Sequence, residues 1–388
     1  MMNLPNKPKV LAATLNTVSK TKMISFLVDF PTVLLAELRT HRILTQGSLY
    51  EHAELDDFNM SANSARAIPA KTYLQKVVDN PFIPIWTKKQ KGMSGGELDK
   101  NIIKKANEFW EDNLWELGKE TSFEGEYIPL KKIGWQTLLD NYNNLIELGV
   151  HKQNANRLLA PFAYTTCIIS GTEFQNFFEL RCPKYEFDGT YFLSKKQLHH
   201  YLVKNNMMTV DKKEPEWEYF CQSINKSTAQ PEFQVIAEML YDLYQEANWK
   251  VSKYHIPFED EIEEQGSALE ILMHSEESEY YRDVVMKISA SMCAKLSYNT
   301  QDNEDTLEKH LERANMLIEH KHYEPFSHQA VAMNEEEYGL FYKSRIVNVS
   351  KMKGQDGHFN PLNNTLIEYG WCYNLRGFIS QRYAIENL

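Results

Sequence analysis

The sequence predicts a globular protein that mixes α-helices with a few buried strands. Two short apolar segments, Met23–Phe30 and Ala163–Ser170, suit strands, while several longer segments repeat their apolar residues at helical spacing. No run of about 18 apolar residues suggests a membrane span. With 388 residues the chain can bury a large core, as one large domain or two or three smaller ones. Apolar content of 43% and charged content of 24% are ordinary for a globular chain. A net charge of -11 argues against a duplex-binding protein with a dominant basic face, yet leaves room for a small basic pocket. Met1–Lys9 is polar and lacks an apolar core, so no secretory signal is expected. The five cysteines, Cys167, Cys182, Cys221, Cys293 and Cys372, are widely spaced, odd in number and form no CxxC. Reduced thiols in a cytoplasmic protein are expected, with none marked as a nucleophile.

In chain order, Pro31 suits the first position of a helix whose apolar face is Val33, Leu34, Leu35 and Leu38, and which delivers His41 and Arg42 near its end. Gly47–Phe58 is a polar, acidic loop, and Ala65–Val78 is a helix closed by Asn80-Pro81. Glu97–Glu120 carries Ile102, Ile103, Ala106, Trp110, Leu114 and Leu117 at helical spacing, and Ile133–Leu148 forms another helix, ending at Gly149. After the second strand, Thr172 to Gln175 reads as a capping box opening a helix through Arg181, one side of which buries Phe174, Phe177 and Phe178. Residues 182–229 read as an irregular, polar insertion. Pro231–Trp249 is an amphipathic helix, Pro257–Gln265 an acidic linker, and Ser278–Lys295 and Thr306–His320 two more helices. From Asn334 onward, short apolar runs alternate with glycines.

The chemistry concentrates at Thr40-His41-Arg42 and at Ser61-Ala62-Asn63-Ser64-Ala65-Arg66. Arginine offers a planar, permanently charged fork, and serine hydroxyls and turn amides add donors, which together suit phosphate. A surface ion-pair cluster is the plainer alternative. There is no GxGxxG after a strand and no GxxxxGK[ST], and Gly92-Met93-Ser94-Gly95-Gly96 lacks the context of either, so any nucleotide would be held by something other than a Rossmann unit or P-loop. His320, His322, Glu324 and His328 do not match zinc spacing, and no metal is expected. Arg157 enters an apolar stretch and Arg181 follows two aromatics, so each is either ion-paired or faces a ligand anion.

Together these segments resemble the flavin-dependent thymidylate synthases, in particular the larger form common in bacteriophages. The family signature is Arg-His-Arg, two residues, then Ser-x-Asn-x-x-Ser-x-Arg. Thr40-His41-Arg42 resembles its first half and Ser64-Ala65-Arg66 its last. Arg157 to Pro161 is similar to the family's Arg-x-x-x-Pro, and Asn176 to Arg181 to its Asn-Phe-x-x-Leu-Arg helix. Ala294 to Tyr298 resembles its Ala-Arg-Val-Ser-Tyr/Phe, and Lys321 to His328 its Gly-His-x-x-Pro-Phe-Glu-His. In the short cellular enzymes the last two segments come first, so the chain resembles a circular permutation, a rearrangement tolerated where termini lie close together. Departures from the pattern are Thr40 for Arg, about a dozen extra residues near Gly47–Phe58, Ser61-Ala62 for Asn-Glu, Ser327 for Glu, and Glu37 for a common Gln.

The resemblance implies an α+β fold: a central, curved, mostly antiparallel sheet flanked by helices. It implies a catalytic domain over 1–332 with an insertion at 182–229, a C-terminal extension over 333–388 packed on the core, and a homotetramer with sites between subunits. The implied reaction is reductive methylation of dUMP to dTMP using FAD, NADPH and 5,10-methylenetetrahydrofolate, without an enzyme thiolate. His41, Arg42, Asn176 and Ser297 would then contact the flavin, and His322 would lie near the flavin and folate. Ser64, Ala65, Arg66 and Arg157 would hold the dUMP phosphate, and Arg181 would face the uracil carbonyl. The alternatives are methylation or hydroxymethylation of another pyrimidine nucleotide such as dCMP, to which the Glu37 carboxylate points, or a non-catalytic nucleotide-binding homologue.

Overall fold

The computed structural model describes residues 4–38, 59–62, 70–87, 98–112, 140–149, 152–207, 214–265, 278–298, 306–346, 358–360 and 365–387. Its architecture is α+β, with several small antiparallel sheets surrounded by helices.

The central sheet has the order β3-β4-β2-β1-β7, made of β1 (Lys9–Leu15), β2 (Lys22–Pro31), β3 (Asn59–Ala62), β4 (Tyr164–Gly171) and β7 (Lys250–Val251). Its neighbours are antiparallel except β1 and β7. The two segments expected as strands pair with each other over nearly their whole length, from Ile24 opposite Gly171 to Pro31 opposite Tyr164. Both are buried on both faces, which explains why they read as unbroken apolar runs. Pro31 therefore ends a strand instead of opening a helix. The turn after it is 3-10 over Thr32–Leu34, followed by the single turn α1 (Leu35–Leu38). No sequence signal had marked β1, whose residues are mostly half-buried and show weak alternation.

Further helices are α2 (Ala70–Asp79), α3 (Lys100–Asp112), α4 (140–147), α5 (Lys152–Ala155) and α6 (Gln175–Arg181). On one face of the central sheet, Phe174, Phe177 and Phe178 of the α6 region pack against Phe26 and Phe30, and the helix α9 (Pro231–Glu246) covers them with Phe233, Ile236 and Leu240. Phe174 lies edge-on to Phe26 at 5.3 Å between centroids. The capping box expected at Thr172 does not form: the residue before α6 is Phe174, without a side-chain cap. The Thr172 hydroxyl instead accepts from the Arg376 amide at 2.9 Å. A second cluster joins Tyr73 and Val77 of α2 to Tyr142, Ala155, Leu159 and Phe162.

The described residues of 182–229 are not irregular. They hold the hairpin β5 (Tyr185–Phe187) and β6 (Thr190–Phe192), then α7 (Lys195–Lys204) and α8 (Glu214–Ile224), around a core of Tyr185, Phe192, Leu198, Leu202, Trp217 and Cys221. Sparse apolar residues among many charges hid that periodicity. The acidic stretch expected as a linker contains a helical turn, α10 (Glu259–Glu263).

β8 (Tyr254–His255) and β15 (Phe378–Ser380) flank β9 (Ala330–Ala332) in a second sheet. The helices α11 (Ser278–Tyr298) and α12 (Leu307–Glu319) pack beside it, α12 being capped by the Thr306 hydroxyl. The remaining strands are β10 (Tyr342–Ile346), β11 (His358–Asn360), β12 (Thr365–Tyr369), β13 (Trp371–Cys372) and β14 (Leu375–Arg376), and the last helices are α13 (Glu335–Leu340) and α14 (Gln381–Glu386). The C-terminal segment is woven into the molecule. Phe378 is fully buried, and the Asn16 side-chain amide donates to the carbonyls of Met333 and Gly377 at 3.0 and 2.7 Å. No described helix is long and apolar enough to cross a membrane.

Candidate functional site

The described parts of the motif segments, and the elements that precede the others in sequence, form two groups. In the first, α6 ends at Arg181, and its guanidinium reaches across to α1. Arg181 Nη1 donates to Glu37 Oε1 at 2.9 Å, linking residues 144 apart in sequence. The same guanidinium lies over the Phe233 ring at 4.8 Å, a cation–π contact that fixes its plane. The pair is largely withdrawn from water, with 10% and 21% side-chain exposure, so the attraction is screened less than at the surface. Glu232, in the first turn of α9, accepts from the Ile85 amide at 2.7 Å. Burial raises its carboxyl pKa, and the nearby Glu37 charge adds to the rise. Tyr164 is pushed up to about 12 by burial, with Asp29 and Glu232 contributing. Arg181 thus sits in an acidic, apolar-walled corner beside Glu37, a residue three positions before Thr40 in the sequence.

In the second group, β3 packs on α11 and on the 3-10 turn Glu324–Ser327, which itself packs on α11. This gathers two segments of the resemblance, the helix carrying Ala294 to Tyr298 and the Lys321–His328 stretch, with the strand that precedes Ser64-Ala65-Arg66 in sequence. β4 joins the groups, since it pairs with β3 and leads into α6.

Individual residues fall as follows. His41, Arg42, Ser64, Ala65 and Arg66 lie outside the described residues, as do Thr40 and the glycine-rich stretch 92–96. Ser297 belongs to α11, with only its backbone described. Asn176 is half-buried in the first turn of α6. Arg157 is exposed in the turn Asn156–Leu158 and makes no ion pair with any described residue. Its neighbour Asn156 is buried and accepts from the Tyr142 hydroxyl at 2.7 Å, which pins the turn. His322 is exposed just beyond α12, its ring 6.5 Å from that of His320. Among the described residues no three His, Cys, Asp or Glu side chains gather as a metal site.

Sequence reasoning missed His255, and named His328 without foreseeing its role; both are fully buried and hydrogen-bonded through serines of the central sheet. The signal was faint, because each serine sits inside an apolar strand. All five cysteines are buried. Burial raises the thiol pKa of Cys182 and Cys293, and takes Cys372 up to about 12, so these thiols stay protonated.

No protein-family model matches the chain, and no curated protein matches its sequence. Weak structural neighbours are two crystal structures of a UMP/dUMP methylase, PolB from Streptomyces cacaoi. The one bound with 5-Br dUMP aligns at 13% identity and a TM-score of 0.30 over 57% of this chain and 65% of that one. The one bound with 5-Br UMP aligns at 11% identity and a TM-score of 0.32 over 63% and 89%.

Proposed function

We propose that the protein is a flavin-dependent methyltransferase that converts dUMP to dTMP with 5,10-methylenetetrahydrofolate and NADPH, as a large, circularly permuted relative of the flavin-dependent thymidylate synthases. The observation that carries the reading is the Arg181–Glu37 ion pair. It joins the end of the Asn176–Arg181 helix to the helix running toward Thr40-His41-Arg42, two segments far apart in sequence that resemble parts of one signature.

The donor set fits the ligands. Cationic forks and hydroxyls at His41, Arg42, Ser64, Arg66 and Arg157 suit a pyrophosphate and a nucleotide phosphate. His41, Arg42, Asn176 and Ser297 would hold the FAD, and Ser64, the Ala65 amide, Arg66 and Arg157 the dUMP phosphate. When bound, the flavin supplies two-electron chemistry and the folate supplies the carbon. Arg181 would donate to the pyrimidine carbonyl and stabilise negative charge growing on the activated ring. His322, exposed at the end of α12, would face the cofactors. No step needs an enzyme thiolate, in keeping with five buried cysteines. In a homotetramer, Arg66 and Arg181 of one site would come from different subunits. A cytoplasmic location follows from this reading.

Glu37 favours a second reading. A carboxylate beside Arg181 presents an acceptor next to a donor, and acidic side chains accept from the cytosine amino group. That points to one-carbon transfer onto dCMP.

Flavin absorbance of the purified protein, titrated with FAD, tests the family reading. Stoichiometric binding is expected. A protein that takes up no flavin would be a nucleotide-binding scaffold and would end both enzyme readings.

A further inference from the structure

Five buried polar side chains form one continuous chain across the interior. Thr14 Oγ1 lies 2.9 Å from His255 Nδ1, and His255 Nε2 lies 2.8 Å from Ser25 Oγ. Ser25 Oγ lies 2.5 Å from Ser170 Oγ, which lies 2.8 Å from His328 Nδ1. Thr14 is 3% exposed and the other four are 0% exposed. The chain ties three strands of the central sheet (β1, β2 and β4) to β8 and to the turn entering β9, stitching the two sheets together. Burial drives the His255 pKa down to about 3, so the His255 ring is neutral and carries a single proton.

With one proton on each ring, two arrangements fill every link and use every proton. In one, the Thr14 hydroxyl donates to His255 Nδ1, His255 Nε2 donates to Ser25, Ser25 to Ser170, and Ser170 to His328 Nδ1. In the other, every donor and acceptor is reversed, so both rings carry a proton on Nδ1. If His255 carried its proton on Nε2 while His328 carried one on Nδ1, both rings would donate toward the serine pair, and one serine proton would have no place in the chain. The opposite mixture leaves no proton between two oxygens 2.5 Å apart. One mixed state leaves a buried hydroxyl proton over and the other leaves a buried link empty, and in a dry site either is the expensive error.

We infer that Thr14, His255, Ser25, Ser170 and His328 form a relay that locks the two histidines to the same protonated nitrogen, and that His255 thereby acts as a positioning residue for the 322–328 segment of the candidate site. His328 directly follows the turn that packs on β3 and α11. The role of its Nδ1, donor or acceptor, is coupled across the sheet to His255 and Thr14. Ligand contact with that segment is thus felt at His255, which lies on β8. The relay itself is independent of the proposed function; only its consequence for ligand binding rests on that reading.

The test is long-range proton–nitrogen NMR on the full chain labelled with 15N-histidine, at neutral pH. The relay requires both rings to report the same protonated nitrogen, in the native protein and in Thr14→Val, a near-isosteric change at the far end. Mixed tautomers in either would overturn it. Adding FAD and dUMP should shift both rings in the native protein and only His328 in Ser25→Ala, which cuts the chain at its middle. If flavin absorbance shows binding and His255 does not move in the native protein, the positioning role is wrong. If no flavin binds, the proposed function fails while the tautomer comparison still decides the relay. Should Ser25→Ala not fold, Ser25→Thr keeps the hydroxyl, and Thr14→Val alone decides the coupling.

Discussion

Replacing Glu37 or Arg181 tests the ion pair from which the site is built. At an effective dielectric of about 20, opposite charges about 4 Å apart attract by roughly 4 kcal/mol before desolvation is charged against them. The pair is 2.9 Å between heavy atoms and mostly buried, so desolvation removes a large part of that gain. A net coupling of about 1–2 kcal/mol is expected. Glu37→Gln leaves a neutral acceptor against a charged guanidinium, while Arg181→Met leaves Glu37 near the buried Glu232 without its cation. The Arg181 change should therefore cost more, about 3 kcal/mol. A double-mutant cycle of Glu37→Gln, Arg181→Met and the double variant, read by urea unfolding, gives the coupling directly. A coupling below about 0.3 kcal/mol would refute the pair as a joint between the two motif segments.

Further predictions address other parts of the molecule. Arg157→Ala should leave thermal stability unchanged, because the side chain is exposed and without an ion pair among the described residues, yet weaken dUMP binding about 10- to 100-fold, as read by calorimetry. Glu238 accepts from the Lys195 amide at 2.6 Å, and burial raises its carboxyl to about 7. Because the folded state holds that proton more tightly than the unfolded chain, stability falls as pH rises from about 4.5 to about 7. Glu238→Gln should flatten that slope and be about 1–3 kcal/mol more stable than the native protein at pH 8, by melting curves at both ends of the window. Gly377 has φ +72°, and a Cβ there would sit 2.3 Å from Ser19 Oγ and 2.8 Å from Thr21 Oγ1. Gly377→Ala should cost about 1–3 kcal/mol and expose the C-terminal strand to limited proteolysis. Phe174→Ala should cost about 3–5 kcal/mol in denaturant unfolding, since its ring meets Phe26, Phe177, Phe178 and Tyr244.

What the sequence revealed follows from how each element is buried. β2 and β4 were legible because both faces are apolar, and α9 and α12 because a single apolar stripe repeats every turn. β1 was not, because its residues are only half-buried. α7 and α8 were hidden because they bury few residues each, Leu198 and Leu202 in one and Trp217 and Cys221 in the other, among many charges. Thr172 drew a capping reading from spacing alone, but a tertiary bond from Arg376, 204 residues away, claims its hydroxyl. At the site, Arg181 was legible as a lone charge after buried aromatics, and its choice between ion pair and ligand resolves to a pair with Glu37 in the free chain. The relay of serines and histidines was illegible, because its members touch only across strands whose pairing no local pattern encodes.

Product mass spectrometry tests the central claim most directly. The protein is mixed with FAD, NADPH, 5,10-methylenetetrahydrofolate and dUMP, with dCMP in a parallel reaction. The account predicts the gain of one methyl group on dUMP; a gain on dCMP alone would transfer the activity to the reading favoured by Glu37. Unmodified nucleotide in both reactions, from a protein that has bound its flavin, would contradict it.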